Sequence, residues 1–273
     1  MPDLRLIATD IDGTLANAQG ALTPFTLRVL RALLDEGVPV TLVTGYNPWP
    51  ARRYVDAIGR GVRAIALNGI FLLENGEVHE GKFLDPQVVR AAAALMSAQG
   101  YTPLVYGADG ITRYWPGPDE SLRHVRNLIA TRPYQPYEAV ESFEALFAVR
   151  PAQVSVCDTE GRCAQLYAAL EAAVGECAYV VFLPGTRAWV EVNHAEARKD
   201  IALLALAARL GAAPAEIVYF GDSLNDLPVF KVLPHAVAMG NACPEVKSLA
   251  WRIAPTNDED GVAQVLVELF GLG

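Results

Sequence analysis

The sequence predicts an α/β protein: a doubly wound, mostly parallel sheet with a Rossmann-like core, interrupted by an inserted α+β domain. Three observations carry that prediction. Short apolar runs alternate with amphipathic helical stretches at both ends of the chain, the pattern of βαβ units. Several of those runs stop abruptly at polar residues, as Leu4–Ala8 does ahead of Asp10-Ile11-Asp12-Gly13-Thr14. Between residues 83 and 188 the texture changes: prolines crowd in, and no apolar run ends in an acid followed by glycine. The expected division is therefore 1–82 with 189–273 as the core, and 83–188 as the insert.

In chain order, Leu4–Ala8 reads as a buried strand. Thr23-Pro24 supplies an N-cap and a proline at the first helical position, opening a helix that Gly37 stops. Val38–Val43 is a second buried strand and ends in Thr44-Gly45, so the first two strands should be parallel. Pro48 and Pro50 begin the next helix, which runs to Gly59, and Arg63–Leu67 is a third strand ending in Asn68-Gly69. A hairpin with Asn75-Gly76 at its tip follows. The insert offers helices at Pro86–Gln99, Asp119–Thr131 and Thr159–Val174, and β-like runs at Thr102–Tyr106, Gln153–Cys157 and Tyr179–Leu183. The first texture then returns. Trp189–Val192 reads as a core strand, Ala195–Leu210 as a helix, and Ala215–Phe220 as a strand ending in Gly221-Asp222-Ser223-Leu224-Asn225-Asp226. A short helix (Leu227–Val232), a strand (Ala236–Met239) and a closing amphipathic helix (Asp260–Leu269) complete the reading.

Bulk composition narrows the function classes. The chain has 273 residues, 52% of them hydrophobic and 19% charged, as expected of a globular protein large enough for two domains. Its net charge of -9 and the lack of any basic run argue against nucleic acid as a partner. The insert is mildly acidic too, with eight arginines, eleven acids and no lysine. The four cysteines form no C-x-x-C pair, so free thiols are expected. No apolar stretch approaches a membrane span, and the N-terminus shows no signal-peptide pattern. The expected setting is the cytoplasm.

The chemistry is concentrated where strands end. Two carboxylates separated by a single residue, Asp10 and Asp12, would repel each other at a strand end unless a cation or a reaction needs them. Asp10 is the candidate nucleophile or metal ligand and Asp12 its acid/base partner. An aspartate capping a turn, with Gly13 supplying an unusual φ, is the structural alternative. Thr44-Gly45 and Asp222/Asn225/Asp226 end two further strands, and in a doubly wound sheet such ends converge on one rim. Asp10 and Asp222 would form an oxygen-rich site suited to Mg²⁺, with a substrate phosphate completing the shell. The Thr44 hydroxyl and the following backbone N–H groups are natural phosphate donors. Lys199 lies near a helix N-terminus where the dipole opposes a cation; it reads either as a solvated helical lysine or as one explained by a bound anion or carboxylate partner. Nucleotide-binding loops are absent: there is no G-x-x-x-x-G-K-[ST] and no G-x-G-x-x-G. Gly221-Asp222-Ser223-Leu224-Asn225 lacks the final glycine of a nucleophile elbow, which argues against a serine hydrolase.

Taken together these residues resemble the haloacid dehalogenase-like phosphohydrolases. Asp10-Ile11-Asp12-Gly13-Thr14 is similar to their D-x-D-G-T motif; Thr44-Gly45, Lys199 and Gly221–Asp226 are similar to the second, third and fourth. The position of the insert, with Asn68-Gly69, Val237–Ala242 and Asp260–Ala263, resembles the Cof-type branch and its cap domain. The resemblance implies a phosphatase of small phosphorylated metabolites, sugar phosphates first, acting through an aspartyl phosphate on Asp10. Asp12 would carry the proton. Mg²⁺ would be held by Asp10, the Asp12 backbone carbonyl and Asp222, with Asp226 orienting that shell, and Thr44, Gly45, Lys199 and Asn225 would bind the phosphate. The cap would choose the substrate, with Arg113, Tyr114, Trp115 and Arg187 as candidates. The alternatives are a phosphosugar mutase sharing the aspartyl phosphate and a non-catalytic ligand-binding regulator. Two positions depart from the family pattern: Tyr46 stands where Arg is frequent, and Asp200 where Gly is frequent.

Overall fold

The computed structural model describes residues 3–116, 119–132, 135–185 and 187–272. The chain divides into two compact units: residues 1–81 with 198–273, and residues 82–197.

The first unit opens with β1 (Leu6–Thr9), all four residues buried. Helix α1 (Pro24–Asp35) follows, capped by Thr23, whose side chain accepts from the Thr26 N–H at 3.1 Å. Strand β2 (Val40–Val43) lies parallel to β1. Helix α2 (Pro48–Ile58) is capped by Asn47, which accepts from Trp49 N–H at 2.9 Å. Strand β3 (Arg63–Ala66) is parallel to β2, and the antiparallel hairpin β4 (Phe71–Glu74) and β5 (Glu77–Glu80) turns through Asn75-Gly76. Both turn residues have positive φ, 53° and 83°, as the tight turn demands.

The second unit contains α3 (Pro86–Ala98), β6 (Leu104–Gly107), β7 (Thr112–Tyr114), α4 (Asp119–Thr131), β8 (Tyr137–Ala139), β9 (Pro151–Asp158), α5 (Glu160–Val174), β10 (Ala178–Leu183) and β11 (Ala188–His194). Its sheet runs β10-β11-β9-β6-β7-β8. All neighbours are antiparallel except β7 and β8. Val154, Val156, Val190 and Val192 point into a core shared with Val89, Met96, Leu166 and Leu170 of α3 and α5.

The chain then completes the first sheet through α6 (Lys199–Leu210), β12 (Ile217–Gly221), α7 (Leu227–Val232), β13 (His235–Ala238), α8 (Pro244–Leu249), β14 (Arg252–Ile253) and α9 (Gly261–Phe270). The order is β14-β13-β12-β1-β2-β3-β4-β5, parallel up to β3. Helix α1 packs with α2 and α9, and α7 packs with α6 and α8, the two helical layers of a doubly wound sheet. Among the described residues no helix is long and apolar enough to cross a membrane.

One expectation is corrected. Trp189–Val192, read as a core strand, belongs to β11 of the second sheet, antiparallel to β9 and β10, and the first unit resumes at Arg198 rather than at residue 189. The physical reason is visible in the segment itself. Val190 and Val192 alternate with Trp189, Glu191 and Asn193, the period-two pattern of an antiparallel strand whose faces differ. A parallel core strand such as β1 carries apolar residues on both faces, Leu6, Ile7 and Ala8 in succession, and is buried throughout. The helix expected from Ala195 accordingly begins at Lys199.

Candidate functional site

The direction in which successive strands are added to the first sheet reverses between the parallel neighbours β1 and β12. Connections lead outward from β1 through α1 to β2, and the other way from β12 through α7 to β13. The connections leaving their carboxyl ends therefore diverge around a crevice at the switch point. Asp10 follows β1 directly, its N–H donating to the Phe220 carbonyl of β12 at 2.9 Å. Asp222 follows β12. Ligand oxygens of Asp10, Asp222 and Asp226 all lie within 4.8 Å of one another.

Lys199, the first residue of α6 and 1% exposed, joins two of these acids. Its ammonium donates to Asp10 Oδ1 and to Asp226 Oδ1, each at 2.7 Å. This supplies the anionic partner that its place at a helix N-terminus requires. An ammonium has three N–H donors, so one remains for another acceptor.

The three carboxylates are held differently. Asp226, fully buried, accepts from Lys199 and from the Tyr219 hydroxyl at 2.5 Å on Oδ1, and from the N–H groups of Asp222 and Ser223 at 3.0 Å on Oδ2. Both its oxygens are occupied, and it fixes the turn that carries Asp222. Asp10 has Oδ1 on Lys199, and Asp222 has Oδ1 on the Thr14 hydroxyl at 2.8 Å. Among the described residues no donor reaches Oδ2 of either. Close approach of backbone makes this packing possible. Gly13 has φ 73°, and a Cβ there would lie 2.4 Å from Asp222 Oδ2.

Electrostatics follow from three buried acids around one lysine. Burial raises the Asp10 carboxyl well above the usual range; Lys199 opposes the rise, and Asp226 and Asp222 add to it. Burial, then Asp226, push Asp222 up to about 7, against the Thr14 hydrogen bond. Burial would lower the Lys199 ammonium, but Asp10 and Asp226 together hold it above its ordinary value. The anionic site is thus short of positive charge. A hard cation with oxygen ligands fits it, since Asp10 and Asp222 each present a carboxylate oxygen without a donor.

The remaining expected residues gather on the same side of this sheet. Thr44 follows β2 and is 2% exposed; its hydroxyl accepts from Tyr46 N–H at 3.0 Å. A Cβ on Gly45 would sit 3.5 Å from Asn68 Oδ1 and 3.8 Å from Asn225 Nδ2. Asn225 donates to Asn68 at 3.4 Å, which brings the ends of β2, β3 and β12 together. Asp12 is exposed and its carboxyl accepts from the Tyr46 hydroxyl at 2.5 Å. Asp200, one of the departures, is buried at the start of α6 and takes a two-pronged bond from Arg198 at 3.1 and 2.8 Å, an acid where the helix dipole favours one.

Two contributors escaped the sequence reading. Tyr219 lies inside β12 as one more apolar strand residue, and nothing local signals that its hydroxyl serves Asp226. Tyr46 stood out only as a departure, without its tie to Asp12. In the second unit, Arg113 is 8% exposed and locked to Asp109 at 3.1 and 2.8 Å and Glu138 at 3.0 Å. That is a strand-holding role rather than that of a substrate contact. Tyr114 packs beside Leu104, Trp115 meets the Phe143 ring edge-on at 6.3 Å, and Arg187 donates to the Thr131 hydroxyl at 3.2 Å.

Comparison with known proteins agrees with this geometry. The chain matches the family described as haloacid dehalogenase-like hydrolase over residues 7–266. It is 26% identical over 284 residues to the 5-amino-6-(5-phospho-D-ribitylamino)uracil phosphatase YwtE of Bacillus subtilis, covering 98% of each chain. Phosphatase YwpJ of the same organism is 25% identical over 289 residues, covering 98% of this chain and 100% of YwpJ. A solved haloacid dehalogenase-like hydrolase from Bacteroides thetaiotaomicron superposes with a TM-score of 0.83 at 22% identity, covering 98% of this chain and 100% of that one. A match from β1 to α9 leaves little of the sequence outside it, and the chain belongs to the haloacid dehalogenase-like hydrolases.

Proposed function

We propose that this protein is a Mg²⁺-dependent phosphatase of small phosphorylated metabolites, sugar phosphates being the first class to test. The observation that carries this is the cluster at the switch point: Asp10 braced by Lys199, beside an Asp222 that Asp226 holds in place. A hydrolase family and relatives named as phosphatases supply the reaction class.

The chemistry follows from the residues. Asp10 attacks phosphorus through its carboxylate; the bond from phosphorus to the ester oxygen breaks, and an aspartyl phosphate forms. Asp12 gives its proton to the departing oxygen, releasing the alcohol. Water then attacks the aspartyl phosphate while the Asp12 carboxylate takes its proton, which frees phosphate and restores Asp10. Thr44, the Gly45 N–H, Asn225 and the third N–H of Lys199 receive the phosphoryl oxygens, where negative charge must be stabilised. A divalent cation would be held by Asp10, the Asp12 carbonyl and Asp222, and when bound it neutralises charge on the phosphoryl group. Asp226 keeps Asp222 and Lys199 oriented.

The test is phosphate release by the purified protein across a panel of phosphorylated metabolites, with Mg²⁺ and with EDTA. Release that needs Mg²⁺ and vanishes in Asp10→Asn supports the reading. Turnover unaffected by EDTA, or none on any ester including p-nitrophenyl phosphate, refutes it.

A further inference from the structure

We infer that Tyr46 is a positioning residue for this reaction: its phenol holds one oxygen of the Asp12 carboxyl and leaves the other for proton transfer. The inference rests on the reading of Asp12 as the proton carrier.

The contact itself is short and charge-assisted, Tyr46 hydroxyl to Asp12 Oδ1 at 2.5 Å. Asp12 is exposed, so without that bond its carboxyl would sample several rotamers in water. Tyr46, by contrast, is half-buried and fixed at several points. Its N–H donates to the Thr44 hydroxyl at 3.0 Å and its carbonyl accepts from Leu67 N–H at 2.6 Å. The next residue, Asn47, caps α2. The Tyr46 ring stacks on Tyr54, with centroids 6.3 Å apart and planes 11° apart. Tyr54 is clamped in turn: the Arg53 guanidinium lies 4.5 Å from its ring centroid, and its hydroxyl donates to the Gly20 carbonyl at 3.0 Å.

The circuit closes on itself. Gly20 belongs to the loop that leaves β1 and carries Asp12, so that loop is gripped at two points, at Gly20 by Tyr54 of α2 and at Asp12 by Tyr46 just ahead of α2. A ring serving only to cover surface needs no hydroxyl directed at a carboxylate. In this arrangement Asp12 presents Oδ2 in a defined direction, which both of its proton transfers require.

Steady-state kinetics of full-length Tyr46→Phe and wild type, on phenyl phosphate and p-nitrophenyl phosphate with Mg²⁺, test this. Phenylalanine keeps the stack on Tyr54 and removes only the hydroxyl. The expected result is a fall in kcat of about tenfold on phenyl phosphate, whose leaving group needs a proton, and of less than about threefold on p-nitrophenyl phosphate, with KM unchanged. Tyr54→Leu, which loosens the column but keeps the phenol, should move kcat the same way by a smaller factor. Equal losses on both esters, a change confined to KM, or kcat at the wild-type level on both would overturn the inference. Asp12→Ala separates it from its premise. If that variant is crippled while Tyr46→Phe is not, only the positioning role fails; if Asp12→Ala turns over like wild type, the proton-carrier reading fails and takes this inference with it.

Discussion

Withdrawing the cation should make stability fall as pH rises toward neutrality, and restoring Mg²⁺ should remove that slope. Asp222 moves from an ordinary 3.8 to about 7, chiefly through burial and then through Asp226, and Asp10 moves in the same direction. A carboxyl whose folded value lies above its unfolded value binds protons more tightly when folded. Its contribution is therefore complete below about pH 4 and is lost as pH rises through the folded value near 7. The difference for Asp222 corresponds to about 4 kcal/mol. Asp222 keeps some contact with solvent, which reduces this to about 2–3 kcal/mol, or roughly 5–10 °C in Tm for a protein of this size. A thermal melt from pH 5 to pH 8, in EDTA and in Mg²⁺, measures it. The difference between the two curves isolates the site, because groups away from it contribute equally to both. Mg²⁺ should raise Tm far more at pH 7.5 than at pH 5, and Asp222→Asn should flatten the EDTA curve and abolish the Mg²⁺ effect. A Tm in EDTA that is level or rises between pH 5 and pH 7.5 would refute the idea that these acids are short of positive charge.

Other substitutions separate the roles of neighbouring groups. Asp10→Asn should reduce phosphate release by several orders of magnitude, since an amide is a poor nucleophile; turnover within about tenfold of wild type removes Asp10 from that role. Asp12→Ala should lose turnover, most severely on esters with poor leaving groups, yet bind Mg²⁺ nearly as wild type by calorimetry, because only its backbone carbonyl is invoked as a ligand. An Asp12→Ala loss of Mg²⁺ affinity matching that of Asp222→Ala contradicts this. Lys199→Met leaves Asp10 and Asp226 buried without their shared cation and should cost about 3–5 kcal/mol in urea unfolding at pH 7.5, less at pH 5 where Asp10, raised by burial, can take up a proton; equal losses at both pH values would falsify the charge argument.

What the sequence disclosed depended on whether a residue's chemistry stood out against its neighbours. Asp10, Thr44 and Asp222 each interrupt an apolar run at a strand end, so their convergence on one rim followed from the parallel order alone. Lys199 was legible for a similar reason, being a cation where the helix dipole disfavours one. Tyr219 was not, because a tyrosine in a buried strand is ordinary and its hydroxyl partner lies beyond the strand, in the following turn. The boundary at residue 189 was hidden because composition alone does not distinguish an antiparallel strand from a parallel one; the mark is alternation, Glu191 between Val190 and Val192 with Asn193 next.

Burial divides four aspartates of one motif set into distinct parts, although their side chains are identical. Asp226 is fully buried with both oxygens saturated by donors, so it has no lone pairs directed at a ligand and acts as a strut. Asp10 and Asp222 are each held by one oxygen only, which leaves the other to a cation or to phosphorus. Asp12 is exposed and tied by a phenol rather than an ammonium, so its carboxyl stays open to water. Lys199 sits where it compensates the first two parts and not the last. Moving that one positive charge toward Asp12 would hold its carboxylate ionised and weaken it as an acid, while leaving Asp10 and Asp226 to repel each other. The placement of a single lysine thus keeps the proposed nucleophile and the proposed proton carrier, two residues apart in sequence, in different electrostatic surroundings.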